Sequence, residues 1–219
     1  MPDWGAHAAR EEERYRDGKG RLPDAADQDA RQRQLTRMGN AAGGAGLAYL
    51  MAGDTAAARE WFDRAVARYR ESFPLAPPGS WGRPIGMIKA RLLSNDWPGA
   101  EAESRWTLER GAAEADSPTG RYAATLALLV LGRNDEARVL ADGLRTDDAF
   151  PAPVGDALAF IAAEDPIGYA GAVERVLQSF ERRDEYLEDI PVADTVIVLQ
   201  ALAARRSMAA KLSSELLPA

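Results

Sequence analysis

Asp184, Glu185, Glu188 and Asp189 crowd the segment 184–189, and paired carboxylates can do acid–base chemistry or hold a hard cation. Their spacing matches no calcium loop. Arg182 and Arg183 precede them and a helix start follows, so the pattern also reads as a solvated, helix-capping run. His7 is the only histidine and there is no cysteine, so neither a catalytic triad nor a histidine or thiolate metal site can be assembled. His7 itself, within the charged segment at the start of the chain, reads as a surface residue. The glycines from Gly39 to Gly46 suggest a phosphate-binding loop, but the Gly-Lys-Ser/Thr ending is missing and no strand precedes them. The expectation is a non-enzyme with no catalytic, metal-ligating or cofactor-binding residues and no cofactor; a small hydrolase or metal-dependent enzyme using the acids of 184–189 is the alternative.

Recognition is a different matter. Pro77, Pro78, Gly79, Ser80, Trp81, Gly82, Arg83 and Pro84 put a tryptophan and an arginine in a rigid proline-glycine frame. Trp81 and Arg83 are residue types that anchor interfaces. Trp81 folded back to cap a core is the competing reading.

These side chains must be carried by helices. Apolar residues recur at helical spacing from about residue 28 to 207, and no stretch alternates long enough to make a half-buried strand. Leu35, Met38, Ala42, Ala45, Tyr49 and Ala52 form one stripe, with Gly39, Gly43 and Gly46 on the next. Glycine weakens a helix, so the second stripe predicts close approach of another element. Gly53-Asp54 then ends one helix and caps the next. Similar breaks fall at Asn95-Asp96, Gly132-Arg133-Asn134 and Glu164-Asp165, with Pro166 at a first helical position. Intervals of 42 and 37 residues separate the first three breaks, and Ala58, Ala100 and Ala137 each lie five positions beyond one. The fold class expected is all-α, stacked antiparallel helical hairpins, as an α-solenoid or a compact bundle. Residues 1–27 read as a charged N-terminal helix and linker, 28–207 as the helical-repeat domain, and 208–219 as a loose C-terminal tail.

The 219 residues carry 27 Lys plus Arg against 34 Asp plus Glu, a net charge of -7 that disfavours nucleic acid and anionic membrane as partners. The most apolar run, residues 122–131, is too short to span a bilayer, and the first twenty residues do not read as a signal peptide. A cytoplasmic location is expected.

Gly46, Tyr49, Gly53, Ala58, Phe62 and Ala65 occupy the small, aromatic and alanine positions of the tetratricopeptide repeat, which this stretch resembles. The match covers one repeat well and the later hairpins poorly, and the family's closing proline falls on Arg70. The resemblance implies a groove lined by the first helix of each pair, reaching Leu47, Leu50, Met51, Lys89, Leu92, Leu93, Tyr122, Leu126 and Leu129. Lys89 is the only charged residue of that set, so the groove either binds an apolar helix or is filled internally. The segment from Ser179 to Pro218, with its close Ser214-Glu215-Leu216-Leu217-Pro218, resembles more faintly the end of an all-α immunity-protein family of polymorphic toxin systems. The reading is a helical-repeat protein-interaction module with a protein partner, an apolar helix or a toxin, and Trp81, Arg83 and Lys89 as the partner-binding candidates. In the immunity version it neutralises a cognate toxin.

Overall fold

A computed structural model describes residues 2–218. The described residues form ten α-helices and no strand. These are α1 (Trp4–Arg21), α2 (Gln28–Met51), α3 (Thr55–Ser72), α4 (Gly82–Leu93) and α5 (Trp97–Glu109), then α6 (Pro118–Val130), α7 (Asn134–Arg145), α8 (Ala152–Ala162), α9 (Pro166–Glu181) and α10 (Asp194–Ala204).

The chain turns by one repeated device. Gly53, Asn95, Gly132 and Glu164 all take positive φ, between 54° and 81°. The next residue's amide reaches back to a carbonyl five positions earlier: Asp54 to Tyr49 at 3.0 Å, Asp96 to Arg91 at 2.8 Å, Arg133 to Leu128 at 2.9 Å and Asp165 to Phe160 at 3.0 Å. This closure satisfies carbonyls that the helix end would leave bare. Asp54, Asp96 and Asp165 then accept from amides of the following first turn at 3.0 Å. At the third turn Arg133 offers no such acceptor, and Asp135 and Glu136 in the first turn of α7 complement the helix dipole instead.

Consecutive helices pack in order from α1 to α9. The first members of the pairs, α2, α4, α6 and α8, also touch one another and form an inner layer. The order then breaks. The short 3-10 turn Leu187–Asp189 packs on α2, and α10 packs on α4, α8 and α9. The inner face is therefore crossed by residues 187–204 of the chain itself. The main core follows from this, joining Ile88, Leu126, Leu158, Val176, Leu199 and Leu202.

Both ends of the described chain pack against the rest. The N-terminal helix expected within residues 1–27 is α1, and its Trp4 and Ala8 pack with Ala48, Ile190 and Val192. His7 is half-buried, its ring 5.5 Å from that of Trp4. The stretch after α10 is docked, because Ala193 N–H donates to the Leu216 carbonyl at 2.9 Å and Leu212, Leu216 and Leu217 lie on the main core. Apolar leucines at the end of an otherwise polar tail carry no helical period, so their burial was invisible in the pattern.

The glycine stripe of α2 divides in two. A Cβ on Gly39 or Gly46 would come within 2.7 Å of the ring of Tyr69 or Phe62, whereas one on Gly43 would meet nothing within 4 Å. Urea unfolding should show Gly46→Ala destabilised by about 1–3 kcal/mol, because a buried ring must shift. Gly43→Ala should be stabilised by about 0.5–1 kcal/mol, because a helix-interior glycine is replaced with no clash.

Candidate functional site

The sequence candidates separate into two environments. Trp81 immediately precedes α4 and is 8% exposed. Its ring lies 5.9 Å from that of Phe73 and packs with Ala112, Ala123 and Ala124. It is folded back into the hairpin core, where Gly120 makes room for the indole. Arg83 and Lys89, by contrast, share one cavity of about 330 Å³ between α2, α3, α4 and the Leu187–Asp189 turn.

Arg83 is held from behind. Its Nε donates to Ser72 Oγ at 2.8 Å and its Nη2 to Gln32 Oε1. Ser72 is fully buried and lies 2.9 Å from both the Gln32 carbonyl and Thr36 Oγ1. Burial lowers the Arg83 pKa from its ordinary value, although a guanidinium stays charged in a protein. Beside it the Tyr69 ring sits between Gly39 and Gly86, and its hydroxyl donates to Asn40 Oδ1 at 2.9 Å.

Lys89 belongs to the inner layer and is spoken for within the chain. Its Nζ lies 2.5 Å from Asp194 Oδ2 and 3.1 Å from Thr195 Oγ1, both in the first turn of α10. Burial by itself would lower the lysine pKa, but the Asp194 carboxylate together with Tyr122 raises it, and the net shift is upward. A second hollow of about 280 Å³ lies on the far side of this pair, shared at Leu47, Lys89, Leu187 and Asp194. Tyr122, Phe150, Phe180 and Tyr186 wall it, with the Arg183 guanidinium 3.7 Å from the centre of the Phe180 ring. Of the groove positions implied by the repeat resemblance, Leu47, Lys89, Leu93 and Tyr122 line the two hollows, whereas Leu92, Leu126 and Leu129 are buried in the core.

The acids of 184–189 do not converge as acid–base partners. Glu188 is paired with Arg14 of α1, and its carbonyl accepts from Arg10 Nη2 at 2.6 Å. Glu188 and Asp189 both take left-handed backbone, with φ of 56° and 52°. Asp184 and Glu185 are exposed. Among the described residues, no three His, Asp or Glu side chains gather closely enough to hold a metal ion.

Sequence reasoning missed Glu11, which is fully buried and accepts from Arg10 Nε and Arg14 Nη1, each at 2.9 Å. It also missed Gln32 and Ser72, two polar residues at helical core spacing. The usable signal was that spacing: a lone polar residue on an apolar stripe implies a buried partner. Among the described residues no helix is long and apolar enough to cross a membrane. No family model, curated protein or solved structure matches the chain.

Burial raises the pKa of Tyr69, Tyr122 and Tyr169, and a hydrogen bond to Glu12 raises that of Tyr49. Each phenol ionises later folded than unfolded, so above the ordinary value of 10.0 the unfolded chain holds fewer protons and stability must fall as pH rises. Lys89, also raised, keeps its proton longer in the folded state and adds the same sign from its ordinary 10.5 upward. Urea unfolding over roughly pH 8 to 11 should show this decline beginning near pH 10. Tyr169→Phe should make the decline shallower.

Proposed function

We propose that the protein is a non-catalytic helical-repeat module that recognises another protein, with the aromatic hollow beside α10 as the pocket for the partner's anchoring side chain. One observation carries this reading. Four aromatic residues and Arg183 surround about 280 Å³ of space next to Leu187, an apolar side chain that stands 73% exposed. Tyrosine and arginine around a concave apolar pocket are the residue types that dominate binding energy at interfaces. An exposed leucine at the rim adds area that leaves water only when a partner covers it. The occupant is an aliphatic or aromatic side chain, and an acid beside it would meet the exposed Arg183 guanidinium.

The tetratricopeptide resemblance supports the same placement, since the inner layer borders the hollow through Leu47, Lys89 and Tyr122. Here the segment 182–193 between α9 and α10, a C-terminal strap, narrows the broad groove of such a fold to a local pocket. In the more specific version the partner is a cognate toxin, met in the cytoplasm; that version rests on the likeness of residues 179–218 to an immunity-protein family.

A photo-crosslinking residue at Arg183 or Leu187 should trap one protein species in cells. The same residue at Val139 of α7 or Ile167 of α9, the other large exposed apolar positions, should not. With the recovered partner, Phe150→Ala should weaken binding about tenfold or more, roughly 1.4 kcal/mol. Equal trapping at all four positions, or unchanged affinity in Phe150→Ala, would overturn the reading.

A further inference from the structure

The cavity on the α3 side of the Lys89 and Asp194 pair combines three features that packing does not explain. Its volume, about 330 Å³, lies within the range of small-molecule sites, roughly 300–1,000 Å³. Its wall is largely apolar, from Phe62, Ala65, Ile85, Ala90 and Leu93. Gly43 of α2 lines it although nothing stands within 4 Å of where its Cβ would be, and the same holds for Gly82 at the start of α4. Gly39 and Gly46 are required by the rings that press on them; Gly43 weakens the helix and leaves only space.

The charges on the wall are unequal. Lys89 and Asp194 neutralise each other, and Glu188 is neutralised by Arg14. Arg83 bonds only to the neutral acceptors Ser72 and Gln32, and among the described residues no carboxylate lies within ion-pair distance of it. Its Nη1 has no protein acceptor there either. A half-buried guanidinium without a counter-ion is an attractor for an anion, which gains charge-assisted hydrogen bonds on arrival. Asp194 and Glu188 on the same wall disfavour a multiply charged ligand such as a phosphate ester.

We infer that this cavity binds a small amphipathic monocarboxylate, its head on Arg83 and its apolar chain over Phe62, Ile85 and Leu93. The inference does not rest on protein docking at the aromatic hollow: Arg83, Phe62 and Gly43 line this cavity alone, while Leu47, Lys89, Leu187 and Asp194 border both.

Calorimetric titration of the full chain with decanoate, decan-1-ol and decylammonium tests it. Decanoate should bind one to one and more tightly than either comparison ligand. Arg83→Gln should weaken decanoate about tenfold or more and leave decanol unchanged, while Arg83→Lys retains most of the preference for the acid. Gly43→Leu on α2 and Gly82→Leu on α4, which add bulk at the cavity lining, should abolish decanoate binding with helical circular dichroism unchanged. The inference is overturned if decanoate gives no one-to-one binding, if decanol binds as tightly, or if whichever of these folded variants is obtained binds decanoate like the parent chain.

Discussion

The contact between Lys89 and Asp194 is the pin on which the arrangement turns. Lys89 is the only charged residue among the inner-layer positions that the repeat pattern picks out, and it borders both hollows between largely apolar walls. A lysine there needs a counter-charge, because an uncompensated ammonium taken from water costs several kcal/mol, roughly. Asp194 supplies it from the one direction left open, across the inner face. The carboxylate is favoured in its own right at the start of α10, where Oδ1 also accepts from the Thr195 amide at 2.7 Å. A charge in the middle of the inner layer thus fixes where the last helix starts.

Everything between α9 and α10 is then stretched across the same face. Ile190 and Val192 reach the apolar patch of α1 and α2, and Glu188 is drawn to the arginines of α1. Glu11, buried beneath them against Gly44, makes those arginines available by holding both guanidinium groups from below. Partly buried ion clusters of this kind add little net stability compared with apolar packing; what they give is register. They specify which turn of α1 meets the strap, and the left-handed residues Glu188 and Asp189 are the local cost of reaching it.

This strap turns a stacked-hairpin scaffold into one with two small hollows instead of a long groove. The walls differ in chemistry because different helices line them. On the side of α2 to α4 the glycines and a guanidinium without counter-ion favour a small anionic amphiphile. On the side of α6, α8 and the strap, aromatic rings and an exposed leucine favour an anchoring side chain. The two proposed sites, one for a partner's side chain and one for a small anionic amphiphile, therefore border one face on either side of the ion pair that closes it.

The local rules were legible in the residues. Gly53, Asn95, Gly132 and Glu164 end helices in left-handed conformation, Asp54, Asp96 and Asp165 cap the next ones, and the spacing of Ala58, Ala100 and Ala137 marks buried positions. Those signals are short-range, carried by hydrogen bonds within about five residues, so the all-α class and the hairpin order could be read directly. Arg83 and Lys89 could be singled out by type. Whether they met, and what opposed them, could not. The pairing of Lys89 with Asp194, of Arg14 with Glu188, and of Trp81 with Phe73 joins residues whose separation in the chain carries no period. Such contacts depend on which faces remain uncovered once the hairpins have stacked. The sequence alone determined the helices and their turns; only tertiary packing decided that the chain would close its own groove and leave two hollows on either side of one ion pair.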